Sequence, residues 1–160
     1  FCTLHQRINF MKTKDIMSRK IIVVAKDTTF RDVWKIFFKS KINAVPVTDK
    51  RRNLLGIITK DDMLKRLYPG YEDLIDGFFS VSDFVEMEKR INDLGSTNAK
   101  DIMSKKVIYT REDTPIMRAL SRMILRSVNQ LPVLSSKDTV VGMITKGDIF
   151  KALFKMSKSK

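Results

Sequence analysis

The stretch Lys14-Asp15-Ile16-Met17-Ser18 returns, letter for letter, as Lys100-Asp101-Ile102-Met103-Ser104. The offset is 86 residues, and it holds along the chain. Asn43, Pro46 and Val47 recur at Asn129, Pro132 and Val133. Gly56-Ile57-Ile58-Thr59-Lys60 recurs at Gly142-Met143-Ile144-Thr145-Lys146, and Asp62 at Asp148. Lys14–Leu67 laid on Lys100–Leu153 without a gap shares 19 of 54 positions. A repeat of this size marks two copies of one supersecondary unit, which usually share one core and a pseudo-twofold axis.

Local patterns assign elements inside each copy. Ile21–Val24 is a β-branched run of strand length. Asp27-Thr28-Thr29 offers N-cap chemistry for a helix over about Phe30–Lys41. In that helix Phe30, Val33, Trp34, Phe37 and Phe38 form one broad apolar face. The second copy repeats this with Thr114, Pro115 and then Ile116, Ala119, Leu120, Met123 and Ile124. Ala44–Val47 is a short strand whose proline argues for an edge or a strand start. The polar turn Asp49–Asn53 leads into a strand over Leu54–Thr59 and a helix over about Asp61–Leu67 with carboxylates in its first turn.

The expected fold class is therefore α+β: two β-α-β-β-α repeats packed as one pseudo-twofold module, each too small to cover its own sheet. The expected boundaries are a first repeat at 11–67, a connector at 68–99, a second repeat at 100–153 and a basic tail at 154–160. The connector, opening on Pro69-Gly70, carries a helix from about Ser82 to Leu94 ended by Gly95. Phe84, Val85, Glu88 and Ile91 fall on its spacing. Phe78, Phe79 and Phe84 make it a packed segment rather than a flexible tether. Met11-Lys12-Thr13 reads as a natural start, so residues 1–10, with Cys2 and His5, are set aside as upstream sequence.

Charge and cysteine content limit the functions available. The net charge is +13. Residues 68–99 hold seven acids against Lys89 and Arg90, a local net of −5, so the rest of the chain carries +18. That positive charge is scattered, densest at Lys50-Arg51-Arg52 and in the tail, and is not interleaved with aromatic residues. Nucleic acid is accordingly a secondary partner class. One cysteine and one histidine leave no disulfide and no metal-ligand cluster, and a cytoplasmic location is the default. No apolar run approaches membrane-spanning length.

The order Asp-Ile-Met-Ser, strand, helix, Pro-Val, Gly-Ile-Ile-Thr-Lys-Asp-Asp resembles the cystathionine-β-synthase (CBS) domain family. The second copy closes with Gly-Met-Ile-Thr-Lys-Gly-Asp, and the pair covers nearly all of Lys14–Leu153. The resemblance implies a tandem CBS pair that assembles as a homodimer. It also implies a regulatory, energy-sensing module with no cofactor of its own, binding AMP, ADP, ATP or S-adenosylmethionine in clefts between the repeats.

A physical case for the same clefts starts at Thr59-Lys60-Asp61-Asp62, where a strand ends and a helix begins. Backbone N–H groups and a positive dipole end lie there. Thr59 Oγ1 can donate to a phosphate, and Asp62 can accept from both ribose hydroxyls. Thr145 and Asp148 repeat the arrangement. The sequence equally allows each pair to be a helix cap and nothing more. The resemblance implies that the Asp62 cleft draws on Lys106, Ile108, Val128 and Asn129. It likewise implies that the Asp148 cleft draws on Lys20, Ile22, Ile42 and Asn43. The isoleucines would face the base, the backbone near Ile42 and Val128 would read its edge, and the asparagines and lysines would serve the phosphates.

The copies differ at Asp61 against Gly147, Val23 against Tyr109 and Trp34 against Leu120. An extra carboxylate beside a phosphate weakens it, so the Asp148 cleft is expected to be the better phosphate site. Tyr109 either stacks on a base or fills the pocket. No nucleophile–base pair stands out, so the chain reads as a non-enzyme. The alternative to a ligand sensor is a nucleic-acid-binding or protein-interaction adaptor using the basic surface, with an unidentified target protein.

Overall fold

The structure of the chain is a computed structural model that describes residues 11–67 and 81–158, with the backbone alone at 81–84 and 87. The elements are α1 (Thr13–Ile16), β1 (Val24–Ala25), α2 (Phe30–Ser40), β2 (Ala44–Thr48), β3 (Leu54–Thr59) and α3 (Lys60–Leu67). There follow α4 (Val81–Leu94), α5 (Ala99–Ile102), β4 (Thr110–Arg111), α6 (Ile116–Leu125), β5 (Gln130–Leu134), β6 (Val140–Thr145) and α7 (Lys146–Ser157). They make two three-stranded sheets, ordered β1-β2-β3 and β4-β5-β6. The class is α+β, as expected. Among the described residues no helix is long and apolar enough to cross a membrane.

Capping starts α2 as the sequence predicts. Thr29 Oγ1 accepts from the Asp32 N–H at 3.2 Å and donates to the Asp32 carboxylate at 2.8 Å. Lys41 ends the helix in the left-handed region at φ 51°, and its counterpart Ser127, two residues past the end of α6, has φ 52°. Arg52 and Asp138, also one offset apart, share φ 65° and 62° in the turns before β3 and β6. The repeat thus extends to backbone conformations that L-residues rarely adopt.

Two expectations fail on strand pairing. The run Ile21–Val24 yields only Val24–Ala25, because Val47 and Thr48 are the residues that pair with this segment. Pro46 and Pro132 lie in central strands rather than at an edge. The register explains why the ladder tolerates them. Pro132 faces Met143 across the antiparallel pair, yet Met143 exchanges both of its backbone hydrogen bonds with Ser18 instead. The Pro132 nitrogen therefore faces β4, which pairs only with Val133 and Leu134. No ladder hydrogen bond is required at the proline.

The compact units are not the sequence repeats. One, the Asp148 unit, comprises the described parts of Phe1–Ile22 and Val107–Lys160 with Arg51–Leu54; the other, the Asp62 unit, comprises Val23–Lys50 and Leu55–Lys106. Each takes the leading segment of the other repeat. In the Asp148 unit the Thr13 and Lys14 N–H groups donate to Thr114 and Glu112, and Ser18 exchanges bonds with Met143. In the Asp62 unit the Ala99 and Lys100 N–H groups donate to Thr28 and Lys26, and Ser104 exchanges bonds with Ile57.

Gly142 and Gly56 make these crossings possible. A Cβ at Gly142 would sit 2.7 Å from Met17 Sδ and 2.9 Å from the Ser18 carbonyl. At Gly56 it would sit 2.5 Å from Met103 Sδ and 3.0 Å from the Ser104 carbonyl.

Each unit has its own core. In the Asp62 unit Phe30, Val33, Phe37, Val45, Val47, Ile58 and Met63 pack with Ala99 and Ile102. In the Asp148 unit Ile116, Ala119, Met123, Leu131, Val133, Ile144 and Ile149 pack with Met17. The apolar face of α2 is wider than the core it meets. Phe38 is 83% exposed, and Trp34 lies edge-on to buried Phe30 at 5.7 Å with much of its surface free. Ile91 and Leu94 of α4 pack against the Asp62 unit, whereas Val85 is exposed. Phe78, Phe79, Pro69, Gly70, Cys2, His5 and the side chain of Phe84 lie outside the described residues.

Candidate functional site

The two helix starts at Thr59–Asp62 and Thr145–Asp148 have one geometry. Asp62 Oδ2 accepts from the Thr59 N–H at 2.9 Å and from Thr59 Oγ1 at 2.7 Å, while Thr59 Oγ1 accepts from the Asp62 N–H at 3.1 Å. At the second start the same distances are 2.8, 2.8 and 3.0 Å. Both are capping boxes. The consequence for chemistry is specific. A carboxylate only accepts, so in this structure each threonine hydroxyl donates its proton to the aspartate of its own box. What remains is Oδ1 of each aspartate, which takes no hydrogen bond among the described residues. One such oxygen can accept from both hydroxyls of a vicinal diol.

The N–H groups at the helix starts are also mostly used. Thr59 and Asp62 donate within the box, and the Lys60 N–H donates to the Asn43 carbonyl at 3.0 Å. The Lys146 N–H donates to Asn129 in the same way at 3.0 Å. Of the first-turn donors that an α-helix leaves without intrahelical partners, this leaves those of Asp61 and Gly147. A Cβ at Gly147 would meet only Thr145 Oγ1, at an ordinary 3.5 Å. Charge, not space, is what distinguishes Gly147 from Asp61.

The hairpin register places the asparagines. Gln130 pairs with Thr145, so Asn129, one step earlier, must meet Lys146, one step later. Its Oδ1 accepts from Lys146 Nζ at 3.2 Å. Asn129 therefore stands beside Lys146 at the start of α7, within the Asp148 unit. Asn43 likewise stands beside Lys60, in the unit of Thr59 and Asp62. Lys60 and Lys146 were not singled out in sequence, although the antiparallel pairing of the strands on either side would have pointed to them.

The remaining expected residues divide by burial. Ile42 packs against the core of the Asp62 unit, and Ile108 and Val128 against that of the Asp148 unit. Ile22 is 39% exposed, and Lys20 and Lys106 are exposed. Tyr109 has a partly exposed ring with the Arg111 guanidinium 5.9 Å from its centroid, and its carbonyl accepts from Arg122.

With this geometry in hand, comparison with known proteins is direct. A family model for the CBS domain matches residues 14–69 and 99–155. The chain belongs to the CBS-domain family. Among its relatives, an uncharacterized protein of Methanocaldococcus jannaschii, MJ1426, is 34% identical over 154 residues, 89% of this chain and 91% of the relative. The CBS domain pair of protein MJ0100, solved in complex with 5′-methylthioadenosine and S-adenosyl-L-methionine, is 26% identical with a TM-score of 0.68. That match covers 93% of this CBS pair and 99% of the other. CBSX2, solved in complex with AMP, has a TM-score of 0.71 at 21% identity, covering 92% of this chain and 98% of its own, which shows the shared fold.

Proposed function

We propose that this CBS pair is a regulatory module that binds an adenosine-containing ligand, AMP, ADP, ATP or S-adenosylmethionine, and that it has no catalytic role. The observation that carries the reading is the duplicated box, which twice leaves one aspartate oxygen without a partner at a helix start. Asp62 and Asp148 accept the ribose hydroxyls, and the N–H of Gly147 or Asp61 faces the phosphate end. The MJ0100 pair, 26% identical and solved with two adenosine-containing molecules, supports the ligand class. Binding then shifts a conformational or assembly equilibrium of the module, which a target protein senses.

Homodimerisation belongs to the same reading. Trp34, Phe38 and Leu64 on α2 and α3 are exposed, and so are Ile124 and Phe150 at the matching positions of α6 and α7. A second copy of the chain is the cover these paired apolar faces call for.

The test is calorimetric titration and thermal unfolding with AMP, ADP, ATP, S-adenosylmethionine and 5′-methylthioadenosine. A ligand at a hundred times its Kd stabilises by about 2.7 kcal/mol, roughly 5–10 °C here. Asp148→Ala is expected to weaken the best ligand roughly ten- to hundred-fold, the loss of a charge-assisted hydrogen bond, and Asp62→Ala less. A flat panel across all five ligands overturns the reading.

An adaptor function has one observation in its favour: Phe150 and Phe154 are exposed on α7 among lysines. The Phe154 ring, however, is already covered by its own Lys158 ammonium at 4.5 Å. Steeply salt-dependent binding to single-stranded polynucleotide, unaffected by adenine nucleotides, would establish that function instead.

A further inference from the structure

A cleft of about 350 Å³ lies within the Asp148 unit, alongside α7, and of its lining the reading above uses Asp148 alone. Its size falls at the small end of ligand sites, which run from about 300 Å³ upward. The repeats diverge on its lining at Ala152, among other positions. Where the first repeat has Arg66, the second has Ala152. In the Asp62 unit the Arg66 guanidinium reaches the Asp101 carbonyl on α5 at 2.9 Å. Ala152 ends at Cβ, so no side chain makes the matching reach from α7 toward α1, and the space stays open.

The lining has a polarity along α7. Asp148 lies in the first turn, Lys151 about 4.5 Å further along the axis, and Met156 about two turns on. Asp15 of α1 joins the acidic side; its Oδ2 accepts the Lys12 N–H at 2.7 Å, and its Oδ1 takes no hydrogen bond among the described residues. Lys151 has no ion pair among the described residues. Met11, Ala152 and Met156 give an apolar floor.

Simple ligands fit this set poorly. An anion meets Asp15 and Asp148. A divalent cation meets Lys151, and no group of three metal-binding side chains occurs among the described residues. A wholly apolar molecule desolvates the four charged side chains of the lining, Asp15, Asp148, Lys151 and Lys155, and offers them no partner of its own. A small molecule carrying both charges on an apolar body satisfies all of them.

We propose that this cleft binds a free α-amino acid with an unbranched or aliphatic apolar side chain. Its ammonium lies on Asp15 and Asp148, its carboxylate on Lys151 and its side chain against Met11 and Met156. The proposal stands apart from the nucleotide reading, although both use Asp148, so the two ligands compete for Oδ1 wherever both bind.

The test is titration of nucleotide-free protein with L-methionine, followed by calorimetry and by amide chemical shifts. L-methionine is expected to bind saturably and to shift the amides of Asp15, Lys151 and Ala152. Its methyl ester and its N-acetyl derivative, each lacking one charge, are expected to bind at least ten-fold more weakly. Asp15→Asn gives a similar loss, and Ala152→Arg, which installs the arginine of the other repeat, removes binding. Lys151→Gln, at an exposed position, abolishes the preference for L-methionine over its methyl ester even if Ala152→Arg does not fold. Absence of saturation in the millimolar range, shifts confined elsewhere, or binding indifferent to Ala152→Arg and Lys151→Gln overturns the proposal.

Discussion

The helix starts at Thr59–Asp62 and Thr145–Asp148 share every backbone and capping contact to within about 0.1 Å, yet they stand in different electrostatic settings. One has Asp61 beside Asp62 and Arg66 bonded across to α5; the other has Gly147 and Ala152. Duplication has kept what the fold needs and released what faces solvent. The capping box, the crossing glycine and the left-handed residues recur because each satisfies a backbone requirement that both copies share. The residues one turn on carry no such requirement, and there the copies have become chemically distinct.

The strongest test of the shared part lies at the crossings. Gly142→Ala forces a Cβ against both the Met17 sulfur and the Ser18 carbonyl, and Gly56→Ala does the same against Met103 and Ser104. Each is expected to cost about 1–3 kcal/mol, roughly 3–10 °C in Tm, measured by thermal unfolding. A Tm unchanged in either variant would show that its crossing tolerates a side chain and that the two are not equivalent.

Next in size is the cap. Thr145→Val and Thr59→Val each remove a hydroxyl that both accepts and donates, so each is expected to lower stability by about 1 kcal/mol, some 2–4 °C. Equal losses support equal boxes; a silent Thr59→Val would show that α3 is held by packing alone.

The distinct part is tested by exchanging its charge. Gly147→Asp has room for its side chain and is expected to weaken AMP several-fold while leaving adenosine nearly unchanged. Asp61→Gly is expected to do the reverse at the other start. Identical effects on AMP and adenosine, read by calorimetry, would assign the difference to shape rather than charge.

The smallest effect concerns Asp113, which accepts from Lys14 Nζ at 2.8 Å and Lys12 Nζ at 3.2 Å. Those ammonium groups hold its carboxyl below the ordinary value of 3.8. A depressed carboxylate contributes stability above its ordinary value and loses it as pH falls through the folded one. All three groups are exposed, so the effect is screened by salt. Asp27, one offset earlier, has no ion pair among the described residues. Asp113→Asn is expected to lower Tm slightly at neutral pH and low salt, and Asp27→Asn not at all. Equal shifts, or an Asp113→Asn loss that does not shrink as the pH is lowered progressively below 3.8, would contradict this.

Much of the fold was legible before any coordinates. The start of α2 at Phe30, the strand Leu54–Thr59 and the helix ending at Leu94 all follow from caps, alternation and spacing. Strand Ile21–Val24 misled because β-branched residues signal an extended segment, whereas a strand also needs a partner, and β2 offers one only at Val47 and Thr48. Phe38 misled because helical spacing shows which residues share a face, not how far the neighbouring core extends. At the site, the Thr–Asp pairs were legible through their spacing. The contact of Asn129 with Lys146 was not, because only the hairpin register brings the two side chains together.

By itself the sequence determined the duplication at 86 residues, the element types and the two capping boxes, since each is either local or visible as self-similarity. Only the tertiary structure decided which leading segment joins which core, why a proline sits in a central strand, that both threonine hydroxyls donate to aspartate, and that Arg66 reaches across to α5 where the other repeat has Ala152. Those outcomes depend on groups far apart in the chain meeting at hydrogen-bond distance, and no pattern of neighbours along the sequence encodes that distance.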